Sequence, residues 1–373
     1  MKLSEFKTPG ERREFLEKKA GIRLDSIAQA LPKDPGEIHC ENIIGATVLP
    51  LGVAGPLTIK GDAIDGDFYI PLATTEGALV ASVSRGCKAI AQAGGAITFA
   101  ARAGITRGPV FDVGSLENQK KLFKWIQINF STLQKIAKET SSHLVLREAK
   151  FQGTSNYLFI RFSYDTGDAM GMNMVTIATT KLVEHIKKET GVSCLAVAGN
   201  YDIDKKPAWL NFIDNRGFCG WADAVIKRDI VKEVLKTTPE KIFDTWLAKC
   251  MIGSAMSGSL GFNAHFSNIV AALFAATGQD LAHVVEGSMG ITVSKVLQNG
   301  DLYISIYMPA LILGTVGGGT KMKIKKEALA ILGIKKSEEL AEIMVGAVLA
   351  GELSLLASLS AGSLGSAHEK LGR

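Results

Sequence analysis

HLVLREAKFQGTSNYLFIRFS, residues 143–163, holds two strand-length apolar runs (143–151 and 154–163) on either side of Gln152-Gly153. A glycine at such a break permits the tight reversal of a hairpin. Upstream, Ile105–Val113 reads as a strand, and Ser115 caps a helical-period stretch over 116–138. Downstream, a second helix over 168–189 ends at Gly191 and a last strand covers 193–198. The order is βαββαβ, the split-βαβ or ferredoxin-like unit. The expected class is therefore α+β: a large mixed helical and β domain (41–104 and 194–373) interrupted by a small inserted domain (105–193). Residues 10–31 read as two short charged helices, which places an N-terminal helical arm at 1–40.

The large domain shows weaker punctuation. ENIIGATVLPLGVAGPLTIKG (41–61) is strand and turn material, apolar enough for a buried or subunit-facing position, and 68–71 is a further short strand. Residues 71–95 switch to helical period, with Thr74 or Thr75 as N-cap, Glu76 in the first turn and Gly94-Gly95 as the stop. Residues 222–236 read as strand, and a helical stretch from 238 leads to Lys249. A long apolar helix within 253–292 carries His265 and Asn268 near its start. Asn299-Gly300 joins strands 291–297 and 302–308 as a hairpin, GTVGGGT (314–320) is a glycine loop, and 337–373 is helical.

Composition narrows the class. The chain has 373 residues, 47% hydrophobic and 21% charged, the profile of a globular protein. A net charge of +5 suits small anionic ligands, and the chain lacks the basic block that argues for nucleic acid. Five scattered cysteines without metal spacing or a signal peptide point to a reducing cytoplasm and to no metal site. The apolar tracts near 262–277 and 340–361 are too short, or carry Glu342 and Glu352, and read as buried helices and not membrane spans.

Chemistry concentrates in GNYDIDKKPAW, 199–209, after the apolar run 194–198. A lysine on a loop at a strand end can stabilise a developing oxyanion, and a neighbouring carboxylate can keep it charged. Taken alone, Asp204-Lys205-Lys206 reads first as a solvated turn. Glu76 alone reads as compensation of a helix dipole, and Arg85 with Lys88 as a solvated face or an anion contact. Asp280 follows an apolar helix where the dipole disfavours a carboxylate, so it calls for a nearby cation such as a lysine. GDAMGMNM (167–174) opens a helix, where free N–H groups and glycines admit a phosphate; its methionines are either core filler or the lining of a slot for a flat ring. His368, on a glycine-containing tail, is either passive or a mobile general acid.

Together ENIIG, PLATTEGALVAS, TRGP, GDAMGMNM, GNYDIDKKPA, GSLGFNAH, ATGQD, GTVGGGT and the tail histidine resemble, in the family's order, the catalytic domain of 3-hydroxy-3-methylglutaryl-CoA reductases. The resemblance is to the class shared by eukaryotes and archaea and runs from Glu41 to His368. It implies a four-electron reduction of hydroxymethylglutaryl-CoA to mevalonate and coenzyme A with two reduced nicotinamides, NADPH by default. It makes Lys205 the oxyanion stabiliser, Glu76 the acid, Asp280 the aspartate coupled to both, and His368 the proton donor to the departing thiolate. It puts Ser82, Arg107, Asp204, Lys206, Lys249, His265 and Asn268 at the substrate, and makes the inserted domain cofactor-binding. Asp168, Met170, Gly171, Met172 and Asn173, with Val316, Gly317 and Gly318 of a second loop, match its dinucleotide site. It implies homodimers or dimers of dimers with the active site between subunits, and the missing family anchor implies a soluble enzyme.

The chain departs from the family in two places. Ala198 stands where a substrate-binding serine is common. Thr140-Ser141-Ser142-His143 stands where a Ser-Arg pair often holds the 2′-phosphate of NADPH, so NADH use becomes possible unless Arg147 or Lys150 substitutes. The competing readings are a related acyl-CoA or aldehyde reductase on the same scaffold, for which Ala198 leaves room, and a non-enzymatic coenzyme-binding relative. The second predicts loss of a catalytic side chain, and none is lost.

Overall fold

The computed structural model describes residues 3–30 and 40–362. Among the described residues ten strands are joined in one hydrogen-bonded sheet, seven along a single path and three branching from it. They are β1 (Leu51–Gly61), β2 (Asp65–Ala73), β3 (Ala96–Arg107), β4 (Val110–Asp112), β5 (Val145–Gly153), β6 (Tyr157–Asp165), β7 (Ser193–Ala196), β8 (Arg216–Ile226), β9 (Ile291–Val296) and β10 (Leu302–Leu311). β3 is the shared member. Its first half lies between β1, which runs parallel to it, and β8, antiparallel. Its last three residues, Ile105 to Arg107, pair with β6. Between the two stretches the ladder shifts register at Gly104, at φ +92, where a Cβ would come within 2.6 Å of Ser163 Oγ. Only glycine fits that bend.

Two separate apolar clusters sit on the two halves of this path. The larger packs β1, β2, β8 and β10 against the helices Leu79–Gln92, Phe266–Thr277 and Ser337–Ser360. The last of these has 24 residues and is long and apolar enough to cross a bilayer by length and composition, yet 83% of its apolar window is buried inside the protein. It lies so close to Leu79–Gln92 that a Cβ on Gly86 would stand 1.9 Å from the Ala350 carbonyl oxygen. The smaller cluster holds Phe111, Leu122, Ile126, Leu133, Ile160, Phe162, Leu182 and Ile186. Its strands run β7-β4-β6-β5, every neighbouring pair antiparallel, with the helices Leu116–Ile128, Phe130–Thr140 and Met172–Thr190 packed on them. The arm is two helices, Pro9–Ala20 and Asp25–Gln29; the first is capped by Thr8 and Glu11.

Several boundaries differ from the sequence reading, each for a local reason. The helix expected from Thr74 starts at Leu79, because Thr74 Oγ1 takes the Glu76 N–H in a turn and Ala78 sits at φ +69. Glu76 is therefore not in a helical first turn. β3 begins at Ala96, directly after Gly95, so the strand expected from Ile105 is the end of a longer one, and Gly108-Pro109 separates it from β4. The helix expected over 116–138 is two, broken at Asn129, whose amide and backbone N–H both bond the Trp125 carbonyl. The hairpin turn falls at Ser155-Asn156, closed by mutual Thr154–Tyr157 backbone bonds, and not at Gln152-Gly153. The later strand is Arg216–Ile226; Asp301 then accepts the Arg228 N–H, and the chain turns into short helical segments up to Leu235.

Candidate active site

The segment 199–209 leaves β7 as a loop held in an unfavourable backbone conformation. Asn200, Ile203 and Lys205 have φ of 64°, 56° and 55°. For a β-branched residue such as Ile203 this region is costly, about 1–3 kcal/mol, and persists only where the surroundings impose it. They do so here. Thr106 Oγ1 donates to the Asp202 carbonyl at 2.8 Å, Glu286 Oε1 accepts the Lys205 N–H at 3.2 Å, and Asn211 donates to the Lys206 carbonyl at 3.1 Å. Ile203 itself is buried.

The loop aims Lys205 at Asp280. Nζ lies 2.8 Å from Asp280 Oδ2, and both side chains stay partly open to solvent. Asp280 is the N-cap of the turn Leu281–His283, accepting the Ala282 N–H at 3.0 Å. Gly278 has already ended the preceding helix, so the carboxylate does not oppose that helix's dipole directly. Partial burial pushes the Asp280 carboxyl up, but the Lys205 and Ala282 hydrogen bonds and the charges of His283 and Lys205 outweigh it, and its pKa lies below the ordinary value.

Beneath this pair lies a buried ionic cluster. Arg216, fully buried, donates to Glu286 Oε1 at 2.8 Å, Asp204 Oδ1 at 2.9 Å and Thr106 Oγ1 at 2.9 Å. Arg107 donates to Asp202 at 3.1 Å, Asp204 at 3.3 Å and Thr176 Oγ1 at 2.8 Å. Burial raises the Asp204 carboxyl, but Arg216, His283 and Arg107 bring it below its usual value. Arg216, His283 and Glu286 escaped the sequence reading. His283 and Glu286 carried a signal in the spacing Asp280, His283, Glu286, one residue in three, which lines one side of a tight helical segment; Arg216 carried none.

The other expected substrate residues are distributed around this centre. Glu76 is exposed, and the structure records only its backbone bond to Thr74. Lys206 is exposed. Ser82 meets Ser354 at 2.9 Å within the helix–helix contact. Arg85, half-buried, donates to Ser354 and Ser358, and burial lowers its pKa. Lys249 borders a polar cleft of about 480 Å³ that also takes in Pro207, Ser257, Asn263 and Ser288. His265 Nε2 meets the Gly351 carbonyl at 2.9 Å, its ring faces the Asn268 amide, and its backbone N–H donates to Glu352 at 2.7 Å. Ala198 adds no polar side chain to the loop entry. His368 lies outside the described residues.

The two glycine-rich loops meet. Ala169 and Val316 form a parallel bridge, and the Asp168 carbonyl accepts from Thr315 and Val316. The Asp168 carboxylate accepts the Ser337 N–H at 2.9 Å, so it anchors the start of the long C-terminal helix. A Cβ on Gly314 would stand 2.4 Å from the Met170 nitrogen. Gly171, at φ +84, starts the helix Met172–Thr190 with no side-chain cap, and Asn173 in its first turn is exposed. Gly317 and Gly318 have open space where side chains would stand. Uncapped helical N–H groups facing a bare glycine loop fit a pyrophosphate. Of the methionines, Met172 is buried with Sδ 3.1 Å from Arg216 Nη2, Met174 joins the smaller core, and Met170 is half-buried beside it. Arg147 pairs with Asp165, and Lys150 lies 2.7 Å from Asp214, so both are already engaged.

A family model described as hydroxymethylglutaryl-coenzyme A reductase matches residues 8–373. The 3-hydroxy-3-methylglutaryl-coenzyme A reductase of Pyrococcus abyssi is 48% identical over 97% of this chain and 92% of its own length. That of Methanothermobacter thermautotrophicus is 45% identical over 97% and 92%. Reductase 3 of rice is 40% identical over 95% of this chain and 67% of its own. Among solved structures, the class II reductase of Streptococcus pneumoniae, bound to NADPH in open conformations, superposes with a TM-score of 0.72 at 19% identity, covering 96% of this chain and 98% of that one. The chain belongs to the hydroxymethylglutaryl-coenzyme A reductase family.

Proposed function

We propose that this protein reduces 3-hydroxy-3-methylglutaryl-CoA to mevalonate and free coenzyme A, in the pathway that takes mevalonate to isoprenoids. The observation that carries the reading is the continuity between the Lys205–Asp280 pair and the nucleotide-type loops. Gln279, next to Asp280, bonds Gly314 through both N–H and carbonyl, and Arg216 and Arg107 reach Met172 and Thr176 in the helix after GDAMG. Two reduced nicotinamides, bound in turn, would supply the hydrides, one for the thioester carbon and one for the resulting aldehyde. Each addition leaves negative charge on the carbonyl oxygen, and the Lys205 ammonium stabilises it there. Asp280 holds the Lys205 ammonium in place. Glu76 donates the proton to the aldehyde-derived oxygen, and His368 protonates the departing thiolate. Arg107, Asp204 and Lys206, with Ser82, Lys249, His265 and Asn268, hold the hydroxymethylglutaryl group. Arg107 acts from within its ion cluster, which orients the other two.

Asp168, Met170, Gly171, Met172 and Asn173 with Val316, Gly317 and Gly318 hold the dinucleotide, on a ferredoxin-like inserted domain at 105–193. The β7-β4-β6-β5 order and the separate apolar cluster support that assignment. NADPH is the expected coenzyme, with weak discrimination against NADH because Arg147 and Lys150 are tied to Asp165 and Asp214. The closer likeness to archaeal and plant reductases than to the class II structure supports the class that eukaryotes and archaea share. A homodimer or dimer of dimers in the cytoplasm, with the site between subunits, accounts for Glu76 standing exposed. It also accounts for the apolar face that Ile97, Phe99, Trp221, Val225 and Val293 expose on the sheet.

The test is turnover of hydroxymethylglutaryl-CoA, followed as loss of reduced-nicotinamide absorbance with NADPH and NADH in parallel, with mevalonate identified as product. Mevalonate formed at two nicotinamides per thioester is the expected result. No turnover by folded protein with either coenzyme overturns the proposal. A preference for NADPH of several hundred-fold in kcat/KM overturns the coenzyme part alone.

A further inference from the structure

We propose that His283 is a positioning residue for the reduction: held by Glu286 at Nδ1, it uses Nε2 to orient the Asp280 carboxylate that keeps Lys205 aimed at the reacting carbonyl. The inference rests on the reading of Lys205 and Asp280 as the working pair.

Three observations support it. The first is placement. His283 is fully buried one turn after Asp280; its Nδ1 lies 2.7 Å from Glu286 Oε1, and its Nε2 lies 3.7 Å from Asp280 Oδ2, the oxygen that also meets Lys205. Nε2 has no hydrogen-bond partner of its own. A buried ring nitrogen left without one is costly, so a polar atom aimed at the working carboxylate calls for a reason. The second is shared support. Glu286 Oε1 accepts from His283, from Arg216 and from the backbone N–H of Lys205. One carboxylate oxygen thus fixes the lysine's backbone and, through the imidazole, the lysine's partner.

The third is charge. Arg107 and Arg216 face Asp202, Asp204 and Glu286, two cations against three anions. His283 stands between those anions and Asp280, and its ring is one of the groups that lower the Asp280 pKa. The charged groups facing the ring are Asp280 and Glu286 from its own segment and Asp204 from the strained loop, with Arg216 of β8 and Lys205 one contact beyond. Asp204, His283 and Glu286 bring ligand atoms within 4.8 Å of one another, a spacing open to a metal ion. The Arg216 guanidinium already joins the two carboxylates, so the cation of this cluster belongs to the chain itself.

The experiment compares His283→Asn, whose amide nitrogen takes the place of Nδ1, with His283→Gln, whose amide takes the place of Nε2. Lys205→Met and Asp280→Asn serve as controls in the same turnover assay. His283→Asn keeps the Glu286 bond and is expected to lower kcat about 10–100-fold with KM within about twofold. Loss of a cationic neighbour raises the Asp280 pKa, so the acid limb of its kcat profile moves to higher pH. His283→Gln is expected to retain more than about a third of wild-type kcat, since its amide still reaches Asp280. Wild-type kcat and pH profile in folded His283→Asn overturn the inference. So does an equal kcat loss in both variants accompanied by equal falls in melting temperature, which marks a purely structural role. If Lys205→Met and Asp280→Asn keep their turnover, the pair itself has been misread. If they lose it while His283→Asn does not, only the role of His283 falls.

Discussion

Replacing Arg216 with methionine isolates the electrostatic part of the buried cluster. Methionine follows the arginine stem and leaves little void, so the main loss is the charged head. That head is 0% exposed and lies 2.8 Å from Glu286 and 2.9 Å from Asp204. Its removal leaves Asp202 and Asp204 to Arg107, and leaves Glu286 with His283 and the Lys205 N–H but no guanidinium; Glu286 Oε2 already has no partner. Breaking a buried pair by deleting one member costs about 3–5 kcal/mol, because the remaining charge stays desolvated without compensation. Urea unfolding followed by far-UV circular dichroism reads this as a lower midpoint, and thermal unfolding as a fall on the order of 10 °C. Adding Glu286→Gln to Arg216→Met removes one stranded charge and should restore about 2 kcal/mol, so the two changes are non-additive. An Arg216→Met protein within about 1 kcal/mol of wild type would refute the reasoning. So would a double variant carrying the full sum of the single losses, since either result means that water or relaxation already screens these carboxylates.

Two further expectations concern packing and pH. Gly86→Ala places a methyl 1.9 Å from a backbone oxygen of the neighbouring helix, which cannot swing aside as a side chain can. The helices must separate, at a cost of about 1–3 kcal/mol or more, visible as a lower melting temperature; an unchanged melting temperature would contradict the close approach. Asp165, Asp204 and Asp280 all have folded-state pKa values below the ordinary one. Their stabilisation is complete above the unfolded-state value of about 4 and is lost as pH falls through the lower folded values. The urea midpoint should therefore hold from neutral pH down to about 5 and drop below about 4, less steeply in Asp204→Asn. A midpoint that falls equally steeply in that variant would show that other groups drive acid unfolding.

Local punctuation was legible at several places where one residue decides the backbone. Ser115 caps its helix through Asn118, Gly191 ends the helix begun at Met172, and Asn299-Gly300 joins β9 to β10. The tract 340–361 was legible as core because Glu342 and Glu352, which argue against a lipid face, find donors: Ala63 and Ile64 for one, Ala264, His265 and Thr292 for the other. Part of what escaped depended on partners distant in sequence. Ala96 to Gly104 is small and mixed in polarity, and it becomes a strand because β1 and β8 flank it. The start of the helix after Glu76 turned on one threonine hydroxyl that prefers its own backbone.

The site followed the same division. Lys205 and Asp280 stood out because a lysine pair on a loop and a carboxylate after a helix each call for a partner, and each is the other's. Arg216 stood outside the strand read at 222–236, and His283 was not singled out at all. Their roles exist only once β3, β8 and the 199–209 loop come together.

The strand β3 also bears on how the molecule can move. A chain segment that carries ladder bonds to β8 at one end and to β6 at the other acts as a torsion bar between the two apolar clusters. Sliding one cluster past the other would break a ladder, whereas a twist concentrated at Gly104 would break none. Thr106 and Arg107 lie just beyond that pivot and grip the strained loop from beneath. A rotation of the smaller lobe about that point would therefore turn the two residues that hold the loop carrying Lys205.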